Sequence, residues 1–211
     1  RSSLDRSSAA SDVYKRQNQI RPFFESDLIK VITGIRRCGK SVILSQIADE
    51  YRSKGQAVLY INFESLEYSA AIPDATTLVS YVRERLSPTQ KLYVFLDEVQ
   101  LVDGWNIACR SLRLENLSLF ISGSNSKLLS KEFTKELSGR YVSFCVRPFV
   151  YKEICAYASQ LGKSYAISDY LLYGGFPKVI EFSDKASILQ YLHDLNQTII
   201  INDIMNRYNI R

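Results

Sequence analysis

The sequence predicts an α/β protein: a three-layer α/β/α sandwich with a five-stranded parallel sheet, followed by a small helical region. Two observations predict this fold class. Five short apolar runs alternate with segments of helical periodicity between residues 28 and 146, and the connections between them are short. After Pro148 only helical patterns follow. Parallel strands require crossovers, which the intervening helices supply.

The predicted strands are short, apolar and rich in β-branched residues. They cover residues 28–34, 57–63, 92–99, 117–123 and 141–146. The run 92–99 is apolar on both faces, which is typical of a central strand in a parallel sheet. We therefore expect this strand in the interior of the sheet.

The predicted helices connect these strands in turn. They cover residues 41–55, a segment that runs from the N-cap Asp74 through Leu86, and residues 105–115 and 126–140. Beyond Pro148, two short helices are expected over 149–161 and 167–176. A longer helical pattern at 184–208 places four apolar residues on one stripe: Ile188, Leu192, Leu195 and Ile199. This region is predicted to be a lid or the start of a second domain.

Composition excludes several classes of protein. A hydrophobic share of 46% excludes a disordered chain. The sequence contains no run of about 18 apolar residues, so it predicts no transmembrane helix. Four cysteines without a CxxC pair and a single His argue against a zinc site and for a reducing, cytoplasmic location. A net charge of +5 is only weak support for nucleic-acid binding. The aromatic residues of the chain, Trp105, Phe149, Tyr151, Tyr157 and Tyr173 among them, are expected to pack rather than to stack on bases.

The two ends of the chain look atypical. Residues 1–17 (RSSLDRSSAASDVYKRQ) show no helical or strand period and are expected to be a non-native or disordered leader. The C-terminal end follows a strongly helical pattern, so we expect a truncated chain. The predicted organisation is a leader at 1–17, a core at 18–148 and a helical region at 149–211.

A phosphate-binding motif, G-x4-G-K-S, spans residues 34–41 between the first predicted strand and the first predicted helix. Glycines at 34 and 39 let the backbone wrap a phosphate, and the helix start attracts the anion. Lys40 is expected to reach the β- and γ-phosphates, and Ser41 to offer a hydroxyl to Mg2+. The candidate nucleotide-binding residues are Gly34, Ile35, Arg36, Arg37, Cys38, Gly39, Lys40, Ser41 and Val42.

Some residues of this loop allow two interpretations. Arg36 and Arg37 either add positive charge near the phosphates or remain solvated. Cys38 is expected to contribute its backbone, although a thiol beside a helix N-terminus is also a candidate for oxidation.

An acidic pair, Asp97-Glu98, ends the third predicted strand. Asp97 is expected to hold Mg2+ through water together with Ser41, and Glu98 to polarise the attacking water. The second acid favours a hydrolytic P-loop ATPase. Small GTPases carry an N-K-x-D string that is absent here, and small-molecule kinases often lack the second acid.

Polar residues also follow the fourth predicted strand, which in additional-strand ATPases lies between the strands of Lys40 and Asp97. Ser122, Ser124 and Asn125 are candidates to contact the γ-phosphate or the attacking water, with Ser124 and Asn125 preferred. Capping of the next helix is the alternative for both. Arg140 is a candidate to reach a neighbouring subunit's γ-phosphate, or else it complements a helix dipole.

Seven segments of the chain resemble those of a known family. They are GIRRCGKS, VLYINFE, FLDEVQ, GWNIACRSL, ISGSNSKLLS, LSGRYVSFCVRPF and YGGFP. They are similar to bacterial and archaeal AAA+ ATP-binding proteins that join an ATPase domain to a C-terminal domain of unknown function. The resemblance runs from about residue 18 to 211. It implies a P-loop NTPase core of strand order 5-1-4-3-2 that uses ATP and Mg2+.

The resemblance also carries residues over by position. Lys40, Ser41, Asp97 and Glu98 match the family's nucleotide site. Gln100, Asn125 and Arg140 match family-typical positions, and residues 174–177 (GGFP) mark the helical region after the core. The family's C-terminal domain often resembles a nuclease or DNA-binding fold, which implies nucleic acid as an indirect partner.

These observations lead to a functional hypothesis with two alternatives. We expect hydrolysis of ATP to ADP and phosphate, coupled to conformational change in a C-terminal effector domain. Self-association through the Arg140 edge is the expected protein contact. The alternatives are a nucleotide-dependent binding switch with negligible turnover and a P-loop small-molecule kinase.

Overall fold

The computed structural model describes residues 19–123, 128, 137–199 and 201. The chain divides into two compact units. One comprises residues 20–34 and 40–145 and holds the sheet, and the other combines the loop 35–39 with the helical region that begins at residue 146. In the described residues, no helix is both long enough and apolar enough to span a lipid bilayer.

The first unit is built on five parallel strands, as the sequence predicts. They are β1 (Ile29–Thr33), β2 (Ala57–Asn62), β3 (Leu92–Asp97), β4 (Leu117–Ser122) and β5 (Tyr141–Cys145). The strand order is β2-β3-β4-β1-β5, and every neighbouring pair is parallel. The predicted order 5-1-4-3-2 is therefore confirmed, with β4 between the strands that precede Lys40 and Glu98. All residues of β1, β3 and β4 are buried.

Among the described residues of this unit, four α-helices connect the strands. They are α1 (Lys40–Ser53), α2 (Leu66–Ala71), α3 (Ala75–Arg83) and α4 (Trp105–Leu112). The side chain of Asp74 caps α3 by accepting a hydrogen bond from the Thr77 amide, as predicted. The predicted helix 126–140 lies largely outside the described residues, and residues 137–140 form a turn and bend.

The structure corrects two boundaries and adds one helix. The strand predicted over 92–99 ends at Asp97, because Glu98 has a left-handed backbone with φ of 53° that ends the pairing. Helix α3 ends at Arg83, before Leu86. Helix α2 was not predicted, because its six residues bury no side chain and so leave no apolar period in the sequence.

The two faces of the sheet have different cores. On one face, aliphatic strand residues such as Val94 and Leu119 pack with α3 and α4 in a single cluster. On the other face, the side chains are mainly aromatic: Tyr51 of α1 stacks on Tyr93 at 3.8 Å between ring centroids, and Phe95 stacks on Phe120 at 4.6 Å. The strand period of two residues assigns neighbouring residues to opposite faces.

The second unit contains three helices in its described part. They are α5 (Tyr151–Gln160), α6 (Ile167–Tyr173) and α7 (Lys185–Ile199), with a short 3-10 helix at Pro177–Glu181 between the last two. A small core forms from Ile154, Ala158 and Ile180, against which Phe149, Tyr151 and Tyr157 pack. Tyr173 is buried as well. These aromatic residues therefore serve packing, as expected.

The GGFP segment has a packing role in this unit. The Phe149 amide donates a hydrogen bond to the Gly175 carbonyl at 2.8 Å. A Cβ atom at Gly175 would overlap the Phe149 carbonyl, so glycine is required for this approach. The close contact accounts for the second glycine of the segment in structural terms.

Candidate functional site

The phosphate-binding motif forms the connection between β1 and α1. Gly34 and Gly39 have φ values of 146° and 97°, which residues other than glycine rarely adopt. Arg37 has a φ of 65° despite its side chain, so its backbone is strained. Cys38 and Gly34 are buried, Ile35, Arg36 and Gly39 are half-buried, and Arg37, Ser41 and Val42 are exposed.

Lys40 begins α1 and lies beside Glu98. The Lys40 Nζ atom is 3.7 Å from Glu98 Oε1, and the two side chains are only 4% and 16% exposed. The left-handed backbone of Glu98 turns the chain sharply after β3. The structure thus brings together the two residues that the sequence assigns to the γ-phosphate and to the attacking water.

Asp97 is held by hydroxyl groups from both neighbouring strands. Ser122 of β4 donates a hydrogen bond to Asp97 Oδ1, and Tyr60 of β2 donates one to Oδ2 at 3.0 Å. Ser122 also accepts a hydrogen bond from the Glu98 amide at 3.2 Å. Burial, followed by the nearby Asp97 carboxylate, raises the pKa of Tyr60 above its usual value. Tyr60 therefore stays protonated and donates at neutral pH.

The donor chemistry around Asp97 fits Mg2+. The carboxylate of Asp97 and the hydroxyl of Ser41 are oxygen ligands, which this cation prefers over nitrogen and sulfur. Asp97 ends β3, and Ser41 lies in the first turn of α1, which follows the end of β1. Because parallel strands end at a common edge, both residues belong to the carboxyl edge of the sheet, together with Lys40 and Glu98.

Other predicted site residues lie elsewhere. Ser124 and Asn125 lie outside the described residues. Arg140 is exposed and immediately precedes β5, whose first residue pairs with the first residue of β1. It therefore lies at the amino edge of the sheet, opposite Lys40 and Glu98, and the structure does not bring it to the site of its own chain.

Two features of the site were missed from the sequence. Tyr60 was not singled out, and Ser122 was considered only as a contact to phosphate or water, whereas the structure engages it with Asp97. The predicted strand order contains a signal that could have identified both residues. In the predicted strand order, β3 lies between β2 and β4, so polar groups near the ends of those two strands are the natural neighbours of Asp97.

Comparison with known proteins assigns the family. The profile of a family described as AAA domain matches residues 26–155. The chain belongs to the AAA family. This AAA domain is 38% identical over 204 residues to an uncharacterized protein of Haemophilus influenzae, covering 92% of this chain and 50% of that protein. It is 30% identical over 194 residues to an uncharacterized protein of Methanocaldococcus jannaschii, covering 87% and 43%. The chain thus spans about half the length of these curated relatives.

Solved structures share the fold of this AAA domain. AMPPCP-bound DnaA from Aquifex aeolicus matches with a TM-score of 0.51 and 15% identity over 92% of this chain and 70% of that chain. The Thermotoga maritima RuvB Holliday junction branch migration motor matches with a TM-score of 0.50 and 14% identity over 92% and 75%. The family match and this shared fold together confirm the AAA+ resemblance found in the sequence.

Proposed function

We propose that this AAA domain hydrolyses ATP to ADP and phosphate in the presence of Mg2+. The observation that carries the proposal is the grouping of Lys40, Asp97 and Glu98 at the carboxyl edge of the sheet. A P-loop with a single acid would hold Mg2+ but would offer no second carboxylate to the attacking water. The second acid, next to the buried lysine, supplies a group that can activate water.

Binding of the triphosphate follows from the loop and helix α1. The backbone amides of residues 34–41 and the positive end of α1 attract the phosphates, and Lys40 neutralises their charge. Mg2+, when bound, would neutralise further phosphate charge, with Ser41 and Asp97 holding it. The hydroxyl groups of Ser122 and Tyr60 fix the Asp97 carboxylate in advance.

Glu98 is the proposed base. Its carboxylate would accept hydrogen bonds from the attacking water and orient it toward the γ-phosphate. In the structure, this carboxylate forms an ion pair with Lys40. The triphosphate competes for the same ammonium group, so its arrival would weaken the pair and free Glu98 to face the water.

Three further elements of the proposal concern the whole protein. We propose that the core spans residues 18–148 and that the helical region from 149 transmits the nucleotide state. Because the chain covers about half of its relatives, the effector would lie in their remaining half. Arg140, exposed at the opposite edge of the sheet, would complete the site of a second copy.

The test is Mg2+-dependent phosphate release from ATP by the full chain and by Glu98→Gln. We expect turnover in the parent, and at least a hundredfold loss in the variant while ATP still binds, because the amide cannot accept a proton. The matched control is Glu84→Gln, at a side chain that is 73% exposed and lies after α3. ATP binding without turnover in the parent would refute hydrolysis and favour a binding switch.

The role of Arg140 is tested by measuring how the specific ATPase activity depends on protein concentration. If Arg140 acts across a subunit boundary, the specific activity rises with protein concentration in the parent, and Arg140→Ala removes that rise. The control is Arg110→Ala, at an exposed arginine in the last turn of α4. An activity that is independent of concentration and unchanged in Arg140→Ala would refute the role.

A further inference from the structure

We propose that Gln100 is a positioning residue for Glu98, and that Gly123 provides the space for it; the inference rests on the proposed function. Gln100 lies in the short 3-10 helix Val99–Leu101 that follows the acidic pair. Its Nε2 donates a hydrogen bond to Glu98 Oε2. The other carboxylate oxygen, Oε1, is the one that faces Lys40. The carboxylate of Glu98 therefore lies between an amide and an ammonium group.

The orientation of the Gln100 amide follows from chemistry. A carboxylate accepts hydrogen bonds only, so the nitrogen of the amide must face Glu98 and its oxygen must point away. That oxygen is buried, and a Cβ atom at Gly123 would overlap it. Gly123 directly follows β4, and it is buried. The lack of a side chain at residue 123 thus makes room for the Gln100 amide.

The distance between Glu98 and Lys40 shows what this arrangement does. A direct hydrogen bond between an ammonium and a carboxylate measures about 2.7–2.9 Å, whereas Lys40 Nζ and Glu98 Oε1 are 3.7 Å apart. Both groups are largely buried, so solvent screens their attraction only weakly. Gln100 holds the far oxygen of the carboxylate and keeps it from closing on the lysine. Glu98 thereby competes less with the phosphates for Lys40, and it stays near its position for water.

The inference predicts that the effect of Gln100 depends on Glu98. In Gln100→Met, which keeps the side-chain length but has no amide donor, Glu98 closes on Lys40 and competes with the phosphates. We expect ATP to bind about tenfold more weakly, which corresponds to the loss of one hydrogen bond to a charged group. In a Glu98→Gln background, residue 98 has no charge, so Gln100→Met leaves the Kd for ATP unchanged.

The experiment is a double-mutant cycle on the Kd for ATP, measured by titration calorimetry with Mg2+ present. The four proteins are the parent, Gln100→Met, Glu98→Gln and the double variant. Gln90→Met is the matched control, since the side chain of Gln90 is exposed and donates to the Gly55 carbonyl. An equal effect of Gln100→Met in both backgrounds, or no effect in the parent, would overturn the inference.

A second variant tests the space at residue 123. Gly123→Ala pushes the Gln100 amide away, so it should weaken ATP binding in the parent and add little in Gln100→Met. A full additional loss in Gln100→Met would show that Gly123 acts through something else and would overturn its assigned role. The cycle measures ATP binding alone. If the parent binds ATP without hydrolysing it, the proposed hydrolysis is refuted, but the cycle still tests the role of Gln100. A parent that binds no ATP refutes both.

Discussion

The two faces of the sheet are built from the same strands, yet they carry different chemistry. Toward α3 and α4 the strands present mainly aliphatic side chains, including Val94, Leu119 and Ile121. Toward α1 they present rings and polar groups: Phe95 and Phe120 form the middle of this face. Since neighbouring residues alternate between the faces, one face can serve stability alone while the other also serves the site.

The polar groups of the α1 face stand at both edges of the sheet. Asp97 and Ser122 form one pair at the carboxyl edge. At the amino edge, the buried Lys30 donates hydrogen bonds to the Ser26 carbonyl at 2.7 Å and to Ser118 Oγ at 2.8 Å. Its Nζ atom also lies 5.1 Å from the centre of the Phe120 ring. The aromatic layer therefore separates a candidate catalytic cluster from a second polar cluster.

The largest change in stability is expected for a substitution on the aliphatic face, and it tests whether the two faces are independent. Leu119→Ala removes a buried side chain from the aliphatic face and should lower the free energy of unfolding by about 2–5 kcal/mol. The Kd for ATP should stay unchanged, because Leu119 lies on the face opposite to Asp97 and Ser122. Urea unfolding and calorimetry measure the two quantities. Leu114→Ala, at a side chain that is 78% exposed, is the control and should change neither. Weaker ATP binding in Leu119→Ala would show that the faces are not independent.

A smaller change in stability with a larger change in activity is expected on the α1 face. Ser122→Ala removes the hydroxyl that holds Asp97 and should lower the free energy of unfolding by about 1.5–3 kcal/mol. Mg2+-dependent phosphate release should fall by about tenfold, because Asp97 is no longer fixed. Steady-state rates over a Mg2+ titration measure this effect. Ser143→Ala on the exposed part of β5 is the control. Unchanged turnover in Ser122→Ala would contradict the role of Ser122.

Tyr60→Phe should have a milder effect on the same carboxylate. The variant keeps the ring and removes one hydrogen bond to Asp97, so we expect a loss of about 1 kcal/mol in the free energy of unfolding. The apparent Mg2+ affinity should decrease less than in Ser122→Ala, since Tyr60 is only half-buried. Tyr81→Phe on α3 provides the comparison. A larger effect of Tyr60→Phe than of Ser122→Ala would contradict the prediction that Ser122 contributes more than Tyr60 to holding Asp97.

The last prediction concerns Lys30, whose burial should appear as a dependence of stability on pH. Burial, followed by the charge of Lys91, lowers the pKa of Lys30 to about 8, despite opposing contributions from Glu25 and Asp27. The unfolded chain, with an ordinary pKa of 10.5, binds more protons between these values. The free energy of unfolding should therefore rise as the pH increases from about 8 to 10.5.

Lys30→Met should remove that rise, because methionine does not titrate. Urea unfolding at several pH values between about 7 and 10.5 measures it. Lys54→Met, at an exposed residue just after α1, should keep the parental slope. If Lys30→Met and the parent show the same slope, another group titrates in this range.

The sequence could predict the five strands and the residues of the acidic pair, because alternation, the glycine loop and Asp97-Glu98 are local patterns. The strand order was an implication of the AAA+ resemblance. The sequence could not predict which hydroxyl groups hold Asp97. That outcome depends on the register of β3 and β4, in which Leu96 pairs with Ile121, so that Asp97 and Ser122 come next. Register is set by packing across the whole sheet rather than by the residues of one strand.

The position of Gln100 shows the same limit. The sequence places it two residues after Glu98, but its contact with Glu98 requires the left-handed turn at residue 98 and the open space at Gly123. The second condition brings together two segments that are distant in the chain, because Gly123 follows a different strand from Gln100. Helix α2 was missed for a different reason, since a helix without buried residues has no apolar pattern to detect.

The left-handed backbone of Glu98 also bears on how this protein can be engineered. A residue with a side chain is disfavoured in this conformation by about 1 kcal/mol relative to glycine. Replacement of Glu98 by glycine would relax the backbone and, at the same time, remove the carboxylate on which proposed catalysis depends. Relief of backbone strain and retention of the carboxylate therefore make opposite demands on this residue.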